Sequence, residues 1–309
     1  MSKTKKVWII VAVCCVVVGL ALSVLAFAKM GFRISGLNTT TLTTNMYYAD
    51  EPFSNIEIKD VESDILLLSS QDGTCHVECT ESDAIKHQVY VIGDTLTVER
   101  TDTRKWYERI GFFWGDMCIK VYLPEKVYEK LDVTSVSGDI CVSDDYADFI
   151  FGEAVFHTTS GAILFDNVAQ NGLSAQTVSG DICVLNVHGP AVDLKSTSGD
   201  IRLSDIQSDA LTIKTTSGDI RLGTHVLISG PLTIDTTSGD MQLDACDAES
   251  LRLDSVSGDI VGTLLSEKHF TVHTTSGDVH VDDTPTARQT CQVSTTSGDV
   301  HIMIEGRTD

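Results

Sequence analysis

The feature that most constrains this chain is a short turn, Ser-Gly-Asp, that returns nine times. Its glycines are Gly138, Gly161, Gly180, Gly199, Gly218, Gly239, Gly258, Gly277 and Gly298, at intervals of 23, 19, 19, 19, 21, 19, 19 and 21 residues; Ala162 replaces the Asp in the second copy. A near-constant period of this size marks a repeat array in which each unit buries its apolar face against the next. In LTIKTTSGDIRL (211–222), apolar residues stand seven and five places before the glycine and again just after the Asp. The intervening positions are polar, and three places before the glycine there is always Ser or Thr, from Ser135 to Thr295. That is the period-two alternation of a strand with one buried face. Two strands therefore meet at each Ser-Gly-Asp corner, where positive φ is expected and suits glycine. Pro190, Pro231 and Pro285 fall in the short connections, where they remove no ladder donor.

A single coil of this length cannot fold alone, so the coils are expected to stack in parallel, with like positions about 4.8 Å apart. An antiparallel meander is the rival, but a constant period returns each position with the same side outward. The fold predicted is all-β: a parallel β-solenoid of about nine 19–21-residue coils over 131–304, with a β-rich cap at 51–130 and a charged tail at 305–309.

Ahead of the cap, 1–6 carries three lysines and 7–28 is continuously apolar. That run is long enough to cross about 30 Å of hydrocarbon as one transmembrane helix. The preceding lysines favour an N terminus kept in the cytoplasm. Ala26-Phe27-Ala28 also fits a signal-peptide cleavage site; in both readings the rest of the chain is exported. The Thr/Ser-rich stretch 29–50 reads as a stalk. The expected location is the cell membrane, single-pass, with the C-terminal part extracytoplasmic. A formal net charge of −22 excludes nucleic acid as a partner.

Within the cap, IEIKDVESDILL (56–67) aligns on the repeat with Ser63 at the glycine position. Asp60 and Glu62 stand where inward Ser/Thr are expected, so this first coil is predicted to be open or distorted. VYVIGDTLTV (89–98) reads as a hairpin around Gly93-Asp94, and MCIKVYL (117–123) as a further strand. Between them, Trp106, Tyr107, Phe112, Phe113 and Trp114 lie among basic residues. They are predicted to plug the open end of the solenoid; the functional alternative is a loop that binds a partner or the membrane interface. Of the nine cysteines, two lie in the apolar run; the other seven are expected to be free thiols, with Cys118–Cys141 the pair left open.

The membrane segment, the degenerate first repeat, the IKVYLP strand and the serial VSGDI and TSGDI copies are together similar to the bacterial "putative adhesin" domain family of unknown function. The resemblance covers about residues 50–304 and rests on the core [ST]-x-SGD-[IV]; Ala162 and Gly262 depart from it. It implies a cell-surface or envelope role, in some members linked to envelope stress, and supplies no catalytic residues.

Site chemistry read from the residues is sparse. Enzymes built on solenoids need long loops to form a cleft, and connections of six to eight residues leave none, so no enzymatic activity is expected; a glycan-active enzyme such as a polysaccharide lyase is the alternative. No cofactor is predicted beyond Ca²⁺ at the aspartate column Asp181, Asp200, Asp219, Asp240, Asp259, Asp278 and Asp299. The competing reading, favoured here, is that each carboxylate accepts backbone N–H groups of its own corner. His280 and His301 share one outward column and are a weaker Zn²⁺ pair. The partners expected are the membrane through the N-terminal anchor, an envelope protein or cell-surface polymer, and another copy end to end through the final repeat.

Overall fold

A computed structural model of the chain describes residues 19, 41–105, 116–143 and 149–306. The chain divides into two units, Met1–Leu42 with Lys105–Gly115 and Thr43–Arg104 with Asp116–Asp309. The second unit contains every strand among the described residues. Among the described residues no helix is long and apolar enough to cross a membrane. The apolar run 7–28 lies outside them apart from Gly19, as do Trp106, Tyr107, Phe112, Phe113 and Trp114.

The strands form two walls of a parallel β-solenoid. In spatial order, the first wall is β5 (Ile85–Ile92), β6 (Thr95–Asp102), β2 (Asn55–Lys59), β8 (Val127–Thr134), β10 (Ile150–His157), β12 (Ala169–Gln176), β14 (His188–Lys195), β16 (Ile206–Lys214), β18 (Val226–Asp235), the second half of β19 (Met241–Asp254), β23 (Thr290–Ser297) and β21 (His269–Ser276). The second wall is β1 (Thr43–Tyr48), β4 (His76–Glu81), β7 (Cys118–Leu123), β3 (Asp64–Ser69), β9 (Ile140–Ser143), β11 (Ile163–Asp166), β13 (Ile182–Leu185), β15 (Ile201–Ser204), β17 (Ile220–Leu222), the first half of β19, β20 (Ile260–Leu264), β24 (Val300–Ile304) and β22 (Val279–Val281). Pairing is parallel throughout, except where β5 covers β6 and where β4 and β1 cover β7. The meander is thereby excluded. The β5–β6 hairpin turns at Gly93-Asp94, with Gly93 at φ 62°.

In-register stacking puts one apolar residue of each coil above the next. The column Ile65, Ile140, Ile163, Ile182, Ile201, Ile220, Met241, Ile260, Val300 is at most 1 % exposed. Each such side chain contributes roughly 1.5–3 kcal/mol by leaving water. Aromatics fill the N-terminal part of this core, with Tyr128–Phe151 and Phe156–Phe165 ring centroids at 5.9 and 5.4 Å.

Four expectations need correction. First, the chain order is broken at the C-terminal end: the final repeat, β23–β24, lies between the coil of β19–β20 and that of β21–β22. The last coil in space is therefore the penultimate repeat, and the edge assigned to the final repeat belongs to β21 and β22. Second, most corner glycines do not have positive φ; only Gly258 (155°) and Gly277 (149°) do. The left-handed residues sit at the opposite corner instead, at Asn186, Asp205, His225 and Ala245 (φ 52–62°). The glycines are required by close approach: a Cβ on Gly199 would lie 1.7 Å from the Gly180 carbonyl oxygen, and one on Gly218 would lie 1.9 Å from that of Gly199. Third, residues 43–48 are not stalk but the strand β1. Composition hid this because Thr, Asn and Tyr there alternate, with Tyr47 packed toward the core. Fourth, the first coil is not open. Asp60 Oδ2 accepts the Ser63 N–H (2.6 Å), as Ser135 Oγ accepts the Gly138 N–H (3.1 Å), while Glu62 pairs with Arg100 (3.3 Å) and Arg104 (3.4 Å).

Candidate functional site

A groove of about 980 Å³ crosses six successive coils of the first wall. Strand irregularities make it. The ladder slips between Ser208 and Leu211 and again between Ile228 and Pro231, and such bulges bend a strand. Gly189, Ser208, Ile228 and Ala248 stand in register beneath the bend. The exposed positions on either side are His188, Gln207 and Leu227, and Pro190, Asp209, Ser229 and Glu249. Gln170 and Gln289 lie at its ends. The lining is rich in amides, hydroxyls and carboxylates and holds no Phe, Tyr or Trp. It offers hydrogen bonds at the coil spacing, about 4.8 Å.

At one end of the groove lies a buried lysine. Lys268 is 0 % exposed, and its Nζ donates to Asp247, to Gln289 and to Ser266 Oγ (2.6 Å). All three ammonium protons are thus engaged, which burial of a charge requires. The lysine stands where the chain leaves β20 and passes over the place taken by the final repeat, so it ties the out-of-order coil to its neighbours.

The aspartate column is a ladder between coils, not within a corner. The Asp200 N–H donates to Asp181 Oδ1 (2.9 Å), Asp219 to Asp200 (2.9 Å), Asp240 to Asp219 (3.1 Å) and Asp259 to Asp240 (2.9 Å). It then runs out of chain order: Asp299 donates to Asp259 (2.8 Å), and Asp278 donates to Asp299 (2.8 Å). One oxygen of each acceptor is thereby engaged in backbone bonding. Arg202 meets the second oxygens of Asp181 (3.2 Å) and Asp200 (2.7 Å). The recurrence of Asp thus has a structural cause that needs no ion.

His280 and His301 are direct register partners, their rings stacked at 4.9 Å and 15°. Pairing β22 with β24 brings them together; chain order alone reaches the same neighbours. All seven cysteines among the described residues are free. Cys118 and Cys141 lie on strands separated by β3, and burial pushes the thiols of Cys75, Cys246 and Cys291 up to about 12.

One polar centre was not singled out by sequence reasoning. His87 of β5 stands between two carboxylates, with Nε2 3.1 Å from Asp60 Oδ1 and Nδ1 3.2 Å from Glu81 Oε1. Glu81 also accepts from the His87 N–H (2.6 Å), Asn45 (2.5 Å) and Tyr47 (3.0 Å). Cys79, Glu81 and His87 are all buried, and one ligand atom from each lies within 4.8 Å of the others. Burial raises the Asp60 carboxyl, but the His87 bond and the Ser63 N–H outweigh it and hold the group at about 2. Glu81 is likewise lowered, its bonds from Asn45, His87 N–H and Tyr47 outweighing burial. The signal available was the spacing C-x-E-x5-H in 79–87: two residues on one face of a strand, then a histidine returning on the next.

No curated protein matches the chain. Solved structures do: a "putative adhesin" from Parabacteroides distasonis (12 % identity, 86 % of this chain and 98 % of that chain, TM-score 0.51); a "putative adhesin" from Parabacteroides merdae (15 %, 85 % and 97 %, 0.48); and a "putative lipid binding protein" from Parabacteroides distasonis (13 %, 86 % and 98 %, 0.49). At these identities the likeness concerns the fold. The family model described as Toastrack DUF4097 matches residues 53–245 and 229–309. The two matches together cover residues 53–309, which hold every strand named above except β1, and the chain belongs to the Toastrack DUF4097 family.

Proposed function

We propose that the protein is a membrane-anchored envelope component without catalytic activity, and that its solenoid, held outside the cytoplasmic membrane, binds an extended hydroxyl-rich polymer of the cell surface. The observation that carries this reading is the groove, in which the hydrogen-bonding side chains Asp209, Ser229 and Glu249 follow one another on successive coils. A polymer with a short repeat meets a polar side chain at each of these steps, so weak contacts add along its length. The acidic balance of the chain favours a neutral or basic polymer over an anionic one. The apolar run 7–28 behind three lysines supports the anchor. End-to-end association with another copy would use the edge formed by β21 and β22.

The full chain in detergent, immobilised and exposed to envelope glycan fractions, is expected to retain one of them; Gln207→Ala with Glu249→Ala should lose it. Retention unaffected by that pair removes the groove from the reading. Release of new reducing ends or unsaturated products during the incubation would replace the binding role with a glycan-active enzyme.

A further inference from the structure

We propose that Cys79, Glu81 and His87 form a binding site for one divalent, zinc-like cation, with Asp60 as the positioning residue behind the histidine. The three donor atoms converge within 4.8 Å in the buried interior of the cap, supplied by β4 of the second wall and β5 of the first, which follow one another in the chain. Cys79 and Glu81 are two residues apart on β4, so the pleat aims both inward, and both are 0 % exposed. His87 enters from β5 at 3 % exposed. Zinc takes sulfur, imidazole nitrogen and carboxylate oxygen at roughly 2.0–2.3 Å. The donors must therefore close by about 1 Å, within reach of small side-chain rotations.

The outer arrangement is that of a metal-bound histidine. A ligating imidazole donates its other N–H to a carboxylate, which fixes the ring and its tautomer. Asp60 Oδ1 stands 3.1 Å from Nε2, so Nδ1 faces Glu81 and is the nitrogen available to an ion. Asp60 is itself fixed by the N–H groups of Glu62 (2.9 Å) and Ser63 (2.6 Å).

A thiolate ligand forms only by loss of the Cys79 proton, so binding of the ion is accompanied by proton release. Lys86 Nζ stands 3.6 Å from Glu81 Oε2, on the exposed side of the site. The site ties β5 and β4 to the first coil through Asp60, so the bound ion stabilises the cap over the N-terminal edge.

The test uses the full chain in detergent with Co²⁺ and then Zn²⁺ as probes. Expected are one ion per chain, a thiolate-to-cobalt absorption band that Zn²⁺ abolishes, and release of protons on binding in a weakly buffered solution. Cys79→Ser should remove the band while leaving the circular dichroism unchanged, and Asp60→Asn should weaken binding about 10- to 100-fold. His301→Ala should change none of these. The proposal is overturned if the wild-type chain takes up no stoichiometric ion, if the band survives Cys79→Ser, or if the uptake follows His301 instead. Should Asp60→Asn fail to fold, the wild-type stoichiometry and the loss of the band in Cys79→Ser decide alone.

Discussion

Replacing Gly199 by alanine separates two reasons for a glycine corner. Gly199 does not have positive φ, so backbone torsion predicts no penalty, and the lost freedom of the unfolded chain predicts a gain of about 0.4–1 kcal/mol. The packing predicts the opposite. The new Cβ would stand 1.7 Å from the Gly180 oxygen, 2.4 Å from its carbon and 2.9 Å from the Asp181 nitrogen, whereas real Cβ contacts stay beyond 3.0 Å. All three obstacles are backbone, so relief requires opening the coils by about 1.3 Å, the difference between 3.0 and 1.7 Å. Three hydrogen bonds cross that corner at 2.9 Å: Ser198 N–H to Val178 oxygen, Asp200 N–H to Asp181 Oδ1, and Ile182 N–H to Asp200 oxygen. An opening of that size breaks all three. At about 1 kcal/mol each, less the unfolded-state gain, the net loss is about 2–2.5 kcal/mol. Urea unfolding followed by circular dichroism reads the total, and hydrogen exchange at Ser198, Asp200 and Ile182 reads its location. A Gly199→Ala protein as stable as wild type, or more so, would refute the close-approach argument and return the corner glycines to a torsional explanation.

Ala245 holds φ 52° without the side-chain advantages of Asn186 or Asp205 at the same corner; Ala245→Gly is expected to raise stability by about 1 kcal/mol in the same urea assay. Lys268→Met leaves Asp247 and Gln289 without their buried donor and should cost about 2–3 kcal/mol, less than a fully buried pair because Asp247 is 24 % exposed; the loss should appear first in the exchange rates of β21 and β23. Arg202 is 41 % exposed between its two aspartates, so Arg202→Gln is expected to change stability by no more than about 0.5 kcal/mol. In wild-type protein, amides of β21 and β22 should exchange faster than those of β23 and β24, although the latter are nearer the C terminus; the reverse order would contradict the placement of β23–β24 inside β21–β22.

Much of the fold is legible because a solenoid repeats its own instructions. Alternation around the Ser-Gly-Asp triplet identifies the strands, and the constant period identifies parallel stacking. The same uniformity hides what depends on neighbours. The closeness of Gly199 to the Gly180 oxygen is a distance between coils, which no single copy records. The aspartate ladder is likewise a bond from one copy to the next, and only the break at Ala162 hints that the copies are linked. The groove arises from irregularities at Ser208 and Ile228 in the variable connections, where the repeat says least. The His87 centre depends on β5 folding back over the first coil, a nonlocal event. Its residues Cys79, Glu81 and His87 lie within nine positions of one another, so the chain carried a local trace of it.

The order of coils at the C-terminal end follows from what a stack of weakly distinguishable units must do with its last member. All copies present nearly the same apolar columns and the same corner, so the final repeat could pack on either face of the one before it; the parallel ladder does not choose. Placed outside, it would be held by one interface, the arrangement from which a linear array frays most readily. Placed between β19–β20 and β21–β22, it is held by two, and the outer coil is tethered at both ends by the connections to β20 and β23. The final repeat can then leave only after two interfaces have opened. Lys268 favours this choice locally, because its partners Asp247 and Gln289 come from the two coils that the inserted order makes adjacent. The N-terminal end repeats the device: β2–β3, the first coil in sequence, lies inside β6–β7, which succeeds it in the chain. There the outer coil is covered in turn by the antiparallel strands β4, β1 and β5. Of the two ends, only the one formed by β21 and β22 lacks such a cover among the described residues, and it is there that hydrogen exchange should first detect opening.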